Sequence, residues 1–195
     1  MLWIIAGPSS SGKSTFLDSP ALTEITGLPS TTTALFARVG VAEQVDRLKD
    51  YYFHYNFLRF LEPALKNPGA TEIWGITVPA PGVGFDYALD TTWDQMASLA
   101  MPKKAIVLVI SRSLLMERVA VRTVIEPRNI QPGRTHSYPA AEWLEIYGRV
   151  DFVDAYRVYL TYLRSKDIDH VLLDSTTSAY SPLRDFGEAA RLLQS

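Results

Sequence analysis

Uninterrupted apolar runs along the chain predict strands that are buried on both faces. The clearest runs are Leu-Trp-Ile-Ile-Ala at residues 2–6 and Ala-Ile-Val-Leu-Val-Ile within residues 104–110. Shorter apolar segments predict three further strands at residues 33–39, 71–78 and 170–174. Gly7, Gly40 and Pro79 directly follow three of these segments and mark where those three strands should end.

Apolar residues spaced three and four apart predict helices between these strands. The predicted helices are 42–66, 91–100, 112–123, 140–165 and 182–194. A further short helix should begin at Lys13 and end near Asp18, because Pro20 cannot continue it. Gly148 is expected to bend the longest late helix, and Pro182 suits the first turn of the last one.

The alternation of strands and helices predicts an α/β fold with a mostly parallel sheet of about five strands. Right-handed crossovers would place the carboxyl ends of the strands at one edge of this sheet, where ligands bind. A length of 195 residues suits a single domain that covers residues 1–195. The irregular segment at about 123–139, which contains three prolines, is the main interruption of the pattern.

Composition and charge narrow the classes of function. The net charge is −2 with acidic and basic residues interspersed, so we expect no nucleic-acid partner. The chain has no cysteine, and its histidines at 54, 136 and 170 are scattered, so we expect no zinc site. Its apolar runs are too short for a membrane span or a signal peptide, which predicts a cytoplasmic protein without a membrane partner. The oligomeric state stays open, a homodimer included.

One motif carries most of the chemical information. The segment after the first predicted strand matches the phosphate-loop pattern Gly-x-x-x-x-Gly-Lys-Ser at every fixed position. Its candidate nucleotide-binding residues are Gly7, Pro8, Ser9, Ser10, Ser11, Gly12, Lys13, Ser14 and Thr15. Glycines let successive N–H groups converge on phosphate oxygens, and the helix that starts at Lys13 directs its positive end toward them. Lys13 would supply a point charge for the β- and γ-phosphates, and the hydroxyl of Ser14 could bind Mg²⁺.

With this motif and the strand and helix at 105–122, the chain resembles the P-loop kinases of nucleotides, nucleosides and small metabolites. The resemblance implies a P-loop NTPase three-layer sandwich, ATP and Mg²⁺ as cofactors, and a small-molecule acceptor. It also implies a helix bearing arginines, followed by a lid at about 123–139 that covers the phosphates.

Four arginines are candidates for contacts with the phosphates. Arg118 and Arg122 are four residues apart on one predicted helix, so both project from one face and could neutralise charge on a transferring phosphoryl group. Arg128 and Arg134 lie in the lid segment and could close over ATP. The alternative is that these side chains are solvated and pair with neighbouring glutamates. The resemblance also places residues 174–176 beside the adenine.

A second group of residues is a candidate acceptor site, because the resemblance places the helix after the second strand along one wall of that site. Asn56 and Arg59 share one face of the predicted helix 42–66, and His54 faces elsewhere. Arg38 ends the second predicted strand, which favours an anionic acceptor. The alternative is that the aromatic residues around them belong to the core and His54 is an ordinary surface residue.

One departure from the resembled family concerns the metal. The strand 71–78 ends without the acid that often organises Mg²⁺ in P-loop proteins, and Glu72 is at its opposite end. Asp86 or Asp90 could supply a carboxylate from the next loop. The missing acid keeps open a nucleotide-binding regulator with little turnover. A sulfotransferase-like enzyme also stays open, because its phosphosulfate donor lies in a P-loop-like turn. No guanine-reading pattern is present in the sequence, which favours ATP over GTP.

Overall fold

The computed structural model describes residues 1–8, 10–27, 72–77, 97–125 and 140–195. Strands and helices alternate through most of these ranges, as the apolar pattern predicts. In chain order the elements are β1 Leu2–Gly7, α1 Lys13–Leu17, α2 Pro20–Thr26, β2 Glu72–Thr77, β3 Lys103–Val109, α3 Arg112–Ile125, α4 Ala140–Arg149, α5 Phe152–Ser165, β4 Asp169–Asp174, β5 Ser181–Pro182 and α6 Phe186–Gln194.

The sheet has the strand order β2-β1-β3-β4-β5. The strands β1 to β4 pair in parallel, and the two-residue β5 pairs antiparallel with β4. The register sets Gly7 beside Thr77 and Val109 beside Asp174, so the carboxyl ends of the parallel strands lie at one edge. Four of the predicted strands are confirmed within one or two residues, and the predicted strand 33–39 lies outside the described residues.

Apolar side chains cover both faces of this sheet because successive residues of a strand point to opposite sides. Leu2 and Ile4 belong to a cluster that includes residues of α3, α4, α5 and α6. Trp3 and Ile5 belong to a second cluster with Phe16 and other residues of α1 and α2. The described part of the chain is therefore a mixed α/β structure with helices on both faces of a mostly parallel sheet.

The single helix predicted at 140–165 is wrong, because the chain leaves the helical path between α4 and α5. The carboxylate of Asp151 accepts a hydrogen bond from the backbone N–H of Asp154 at 2.9 Å and caps the start of α5. The guanidinium of Arg112 donates to the carbonyl oxygen of Gly148 at 2.8 Å, at the end of α4. A new helix thus starts at Asp151, where the prediction had only a bend at Gly148.

Two prolines have roles in the structure that differ from those predicted. Pro20 ends α1 as predicted, but it is in addition the first residue of α2, where its missing N–H costs nothing. Pro182 lies in β5 and not in a helix. The last helix begins later, after Asp185, whose carboxylate accepts from the N–H of Glu188 at 2.9 Å.

The helix predicted at 112–123 is confirmed and extends to Ile125. The predicted helix 42–66, most of the helix 91–100 and the segment 126–139 lie outside the described residues. Across the described ranges, none of the helices has both the length and the apolar character required to cross a bilayer.

Candidate functional site

The phosphate-loop motif lies at the carboxyl edge of the sheet. Gly7 is the last residue of β1, and Lys13 is the first residue of α1. The strand β1 pairs with β2 on one side and with β3 on the other. The loop that joins β1 to α1 therefore starts from an interior strand of the sheet. A strand, a glycine loop and a helix start in this order are the context in which the motif binds phosphate.

Two glycines of the motif are required by the local geometry. A Cβ atom on Gly7 would lie 2.5 Å from the Oγ of Ser11 and 3.2 Å from the carbonyl oxygen of Leu108, so no side chain fits there. Gly12 has φ 93°, a left-handed conformation that favours glycine. Ser10 also has a positive φ, of 72°. Residues with positive φ near one another in a loop curl its backbone tightly, so that successive N–H groups can face one anion.

The side chain of Lys13 folds back over the loop. Its ammonium donates hydrogen bonds to the carbonyl oxygens of Gly7 at 2.7 Å and Pro8 at 2.9 Å. The N–H of Ser11 also donates to the carbonyl oxygen of Pro8, at 3.1 Å. These contacts close the loop on itself and hold a positive charge against it.

The hydroxyl of Ser11 is fully buried and has no hydrogen-bond partner in the described part of the chain. Its Oγ lies in the space that a Cβ of Gly7 would otherwise need. An unpaired buried hydroxyl lowers stability, so the loop carries a local cost.

Arg118 reaches the loop from α3. A Cβ atom on Gly12 would lie 3.4 Å from its Nη1 atom, which places the guanidinium against the glycine that precedes Lys13. The Nη2 atom donates to the carbonyl oxygen of Thr176 at 3.5 Å. Of the arginines predicted to contact phosphate, Arg118 is thus brought beside the motif. Arg122 lies one turn further along the same helix.

The segment 174–180, which follows β4, lies beside Arg118. The N–H and the hydroxyl of Ser175 both bind the carbonyl oxygen of Val109, at 2.7 and 3.1 Å. The N–H of Thr176 donates to the Oδ1 of Asp174 at 2.7 Å, so this acid is engaged in a turn. The hydroxyl of Thr176 is buried without a partner among the described residues.

Tyr180, at the end of this segment, contacts the motif directly and was not singled out by the sequence. Its hydroxyl lies 3.5 Å from the carbonyl oxygen of Gly12, to which it donates, and its ring meets the ring of Phe16 edge to face with centroids 4.9 Å apart. Burial raises the pKa of Tyr180 above its ordinary value, and the positive charge of Arg118 opposes part of this increase. No local sequence pattern could have indicated a contact between residues so far apart in the chain.

Two further predicted residues of the motif lie in α1. Thr15 is exposed, and Ser14 lies in the first turn of α1. The remaining candidates lie outside the described residues: Ser9, Arg38, His54, Asn56, Arg59, Arg128 and Arg134. Within the ranges that the structure describes, no group of three histidines and acids could hold a metal ion.

No protein-family model and no curated protein sequence matches this chain. Its fold is similar to that of a protein from Chloroflexus aurantiacus described as a "putative kinase", with a TM-score of 0.52 and 18% sequence identity over 97% of this chain and 94% of that one. A gluconokinase from Sinorhizobium meliloti gives a TM-score of 0.41 and 17% identity over 97% of this chain and 86% of that one. The first likeness shows a shared fold. The second TM-score is too low to show a shared fold.

Proposed function

We propose that this chain is a single-domain, ATP-dependent phosphotransferase of the P-loop type. It would move the γ-phosphoryl group to a small hydroxylated or phosphorylated acceptor, such as a nucleoside, a nucleotide or a sugar. The observation that carries the proposal is the placement of the Gly7–Thr15 motif between the carboxyl end of β1 and the start of α1, with the ammonium of Lys13 folded over it. The fold likeness to the Chloroflexus protein supports it.

Each residue of the site has a role in this proposal. The loop N–H groups and Lys13 would bind the phosphates, and Arg118 with Arg122 would neutralise charge on the transferring group. ATP would carry Mg²⁺, whose charge withdraws electrons from the phosphates, and Ser14 is the residue of this chain that would hold it. Catalysis of this type relies on positioning and charge, so no nucleophilic side chain is needed.

The acceptor would bind beside Arg38, His54, Asn56 and Arg59, with Arg38 favouring an anionic compound. A lid at about 123–139 would close Arg128 and Arg134 over the nucleotide. Acceptor-stimulated release of ADP, measured over a panel of hydroxylated metabolites and their phosphates, tests the reaction type and the preference for anions. Tight ATP binding without any stimulated turnover would favour the alternative, a nucleotide-binding regulator.

A sulfotransferase-like enzyme is the second alternative, since its phosphosulfate donor also binds at a turn of this kind. The intact Gly12-Lys13-Ser14 sequence favours a triphosphate over that donor. Calorimetric titration with ATP and Mg²⁺, compared with adenosine phosphosulfates, separates the two. Tighter binding of the phosphosulfates would contradict the kinase proposal.

Substitution of Lys13 tests the site itself. We expect Lys13→Met to weaken ATP binding at least about 100-fold, because a desolvated charge contact to phosphate is lost. The matched control is Lys104→Met, which removes an exposed lysine of β3 at the opposite end of the sheet and should bind ATP like the wild type. Both variants are checked by urea unfolding, because the ammonium of Lys13 also holds two loop carbonyls. Wild-type ATP affinity in a folded Lys13→Met protein would refute the assignment.

A further inference from the structure

Tyr180 touches both ends of the first turn of α1, the turn that contains Lys13 and Ser14. The carbonyl oxygen of Gly12 accepts the first helical hydrogen bond, from the N–H of Phe16 at 2.8 Å. The hydroxyl of Tyr180 approaches the same carbonyl at 3.5 Å, and the ring of Tyr180 packs against Phe16. One buried side chain therefore contacts the residue that starts this turn and the residue that completes it.

Arg118 and Tyr180 lie against the same glycine. A Cβ atom on Gly12 would meet the Nη1 of Arg118 at 3.4 Å and the hydroxyl of Tyr180 at 3.6 Å. Arg118 is held on its other side by the carbonyl oxygen of Thr176. The guanidinium thus lies between the phosphate loop and the segment 174–180, and the hydroxyl of Tyr180 lies against the same glycine.

The backbone of this segment is fixed on both sides of these contacts. Ser175 is bonded twice to the carbonyl oxygen of Val109, and Leu173 and Asp174 pair with β5. Tyr180 itself has φ 49°, a left-handed conformation that is unfavourable for a residue with a side chain. Strain of this kind persists only where the surroundings hold it, and here the held residue faces the phosphate loop.

We propose that Tyr180 is a positioning residue, which fixes the Gly12 peptide and the guanidinium of Arg118 in one arrangement before the phosphates bind. The inference rests on the proposed function and deepens it. With both groups fixed, the first turn of α1 and the cation of Arg118 present their charge to the phosphate chain without further ordering. Tyr180 acts through Arg118 and through the loop, and it does not itself need to touch the nucleotide.

The test compares Tyr180→Phe, Arg118→Met and the double variant in binding ATP with Mg²⁺ and binding inorganic tripolyphosphate. Tripolyphosphate has no base, so it reports on the phosphate site alone. We expect Tyr180→Phe to weaken both ligands by the same factor, about threefold to tenfold, because the ring is kept and one hydrogen bond is lost. In the Arg118→Met background, the same substitution should weaken binding by a clearly smaller factor, because only its contribution through the Gly12 peptide remains.

The matched control is Tyr162→Phe, which removes a tyrosine hydroxyl from the carboxyl-terminal part of α5 and should leave both affinities unchanged. Additive effects in the double variant, or wild-type affinity in Tyr180→Phe, would overturn the inference. If Tyr180→Phe does not fold, Arg118→Lys keeps the test open. One ammonium cannot both donate to the carbonyl oxygen of Thr176 and lie against Gly12 as the guanidinium does, so wild-type affinity in Arg118→Lys would also overturn the inference.

The two proposals fail in different ways. If the wild type binds neither ATP nor tripolyphosphate, the proposed function falls and this inference falls with it. If the wild type binds and Lys13→Met does not, while Tyr180→Phe binds like the wild type, the nucleotide site stands and only the role of Tyr180 is refuted.

Discussion

Tyr156 links α5 to the strand that lies beside the phosphate loop. Its hydroxyl is fully buried and donates to the carbonyl oxygen of Leu108 at 2.5 Å. The same carbonyl lies 3.2 Å from the place of a Cβ on Gly7, where β1 ends and the loop begins. Burial raises the pKa of Tyr156 well above its ordinary value, so the hydroxyl stays a neutral donor over the physiological range.

Removal of this hydroxyl should destabilise the protein. We expect Tyr156→Phe to lower the free energy of unfolding by about 1–2 kcal/mol, because a buried carbonyl loses a hydrogen bond. Urea unfolding followed by circular dichroism measures the change. Thr161→Val is the control, since the hydroxyl of Thr161 bonds the carbonyl oxygen of Arg157 on the exposed side of the same helix. Equal stabilities of the two variants would contradict the role given to Tyr156.

At the scale of single residues, sequence patterns predict those site residues that lie close together in the chain. The loop glycines, Lys13 and Ser14 form a contiguous motif with known spacing, so they could be predicted. Tyr156 and Tyr180 could not, because their partners are 48 and 168 residues away and the contacts arise only when the sheet assembles. Arg118 was predicted from the family resemblance and its helical spacing, and the structure adds its place beside Gly12 and its hydrogen bond to Thr176.

At the scale of elements, the junction between α4 and α5 is set by side chains that bind free backbone groups. Asp151 caps the first turn of α5, and Asp154 adds a second negative charge near the same positive helix end. Arg112, from the start of α3, donates to the carbonyl oxygens of Tyr147 and Gly148 and so satisfies the last turn of α4. The turn therefore has its own hydrogen bonds and is not a distorted helix.

The cap gives a prediction for α5. We expect Asp151→Ala to lower the free energy of unfolding by about 0.5–2 kcal/mol, because the N–H of Asp154 loses its acceptor. Asp151→Asn keeps an acceptor oxygen and should retain most of the stability. Thermal unfolding of the three proteins in parallel makes the comparison. An Asn variant as unstable as the Ala variant would show that charge, and not capping, is the contribution.

The strands could be predicted well and the helix boundaries less well, for a physical reason. A strand such as β3, buried on both faces, is an unbroken apolar run that has few other interpretations. The apolar periodicity of 140–165 continues through α4 and α5, so it does not show that Asp151 starts a new helix. Proline at the first turn predicts a helix start at Pro182, but the pairing of Asp174 with Ser181 and of Leu173 with Pro182 makes this residue part of an edge strand.

At the scale of the whole molecule, the pH dependence of stability follows in part from His170 in β4. Desolvation lowers the pKa of this half-buried imidazole below 6.5, and a hydrogen bond to the backbone of Ile168 and the charge of Asp169 oppose the shift. As the pH falls through 6.5, the unfolded chain therefore takes up a proton before the folded protein does. The free energy of unfolding decreases over this interval and levels off below the folded pKa.

His170→Gln should remove this part of the pH dependence. We expect a smaller loss of unfolding free energy between about pH 7.5 and about pH 5.5 in the variant than in the wild type, measured by urea unfolding at both values. Other groups titrate equally in both proteins and cancel in the comparison. An equal or larger loss in the variant would mean that His170 is not a source of acid sensitivity.

The sheet order has a consequence for how the molecule assembles. The first strand of the chain, β1, lies between β2 and β3, which are encoded far downstream and end at Thr77 and Val109. During synthesis β1 therefore cannot complete its second ladder until residue 107 has left the ribosome. Contacts between segments so distant close slowly, because the chain entropy of the intervening loop must be lost first. The strand that ends in the phosphate loop is thus made before both of its partners and stays paired on one side at most until β3 is synthesised.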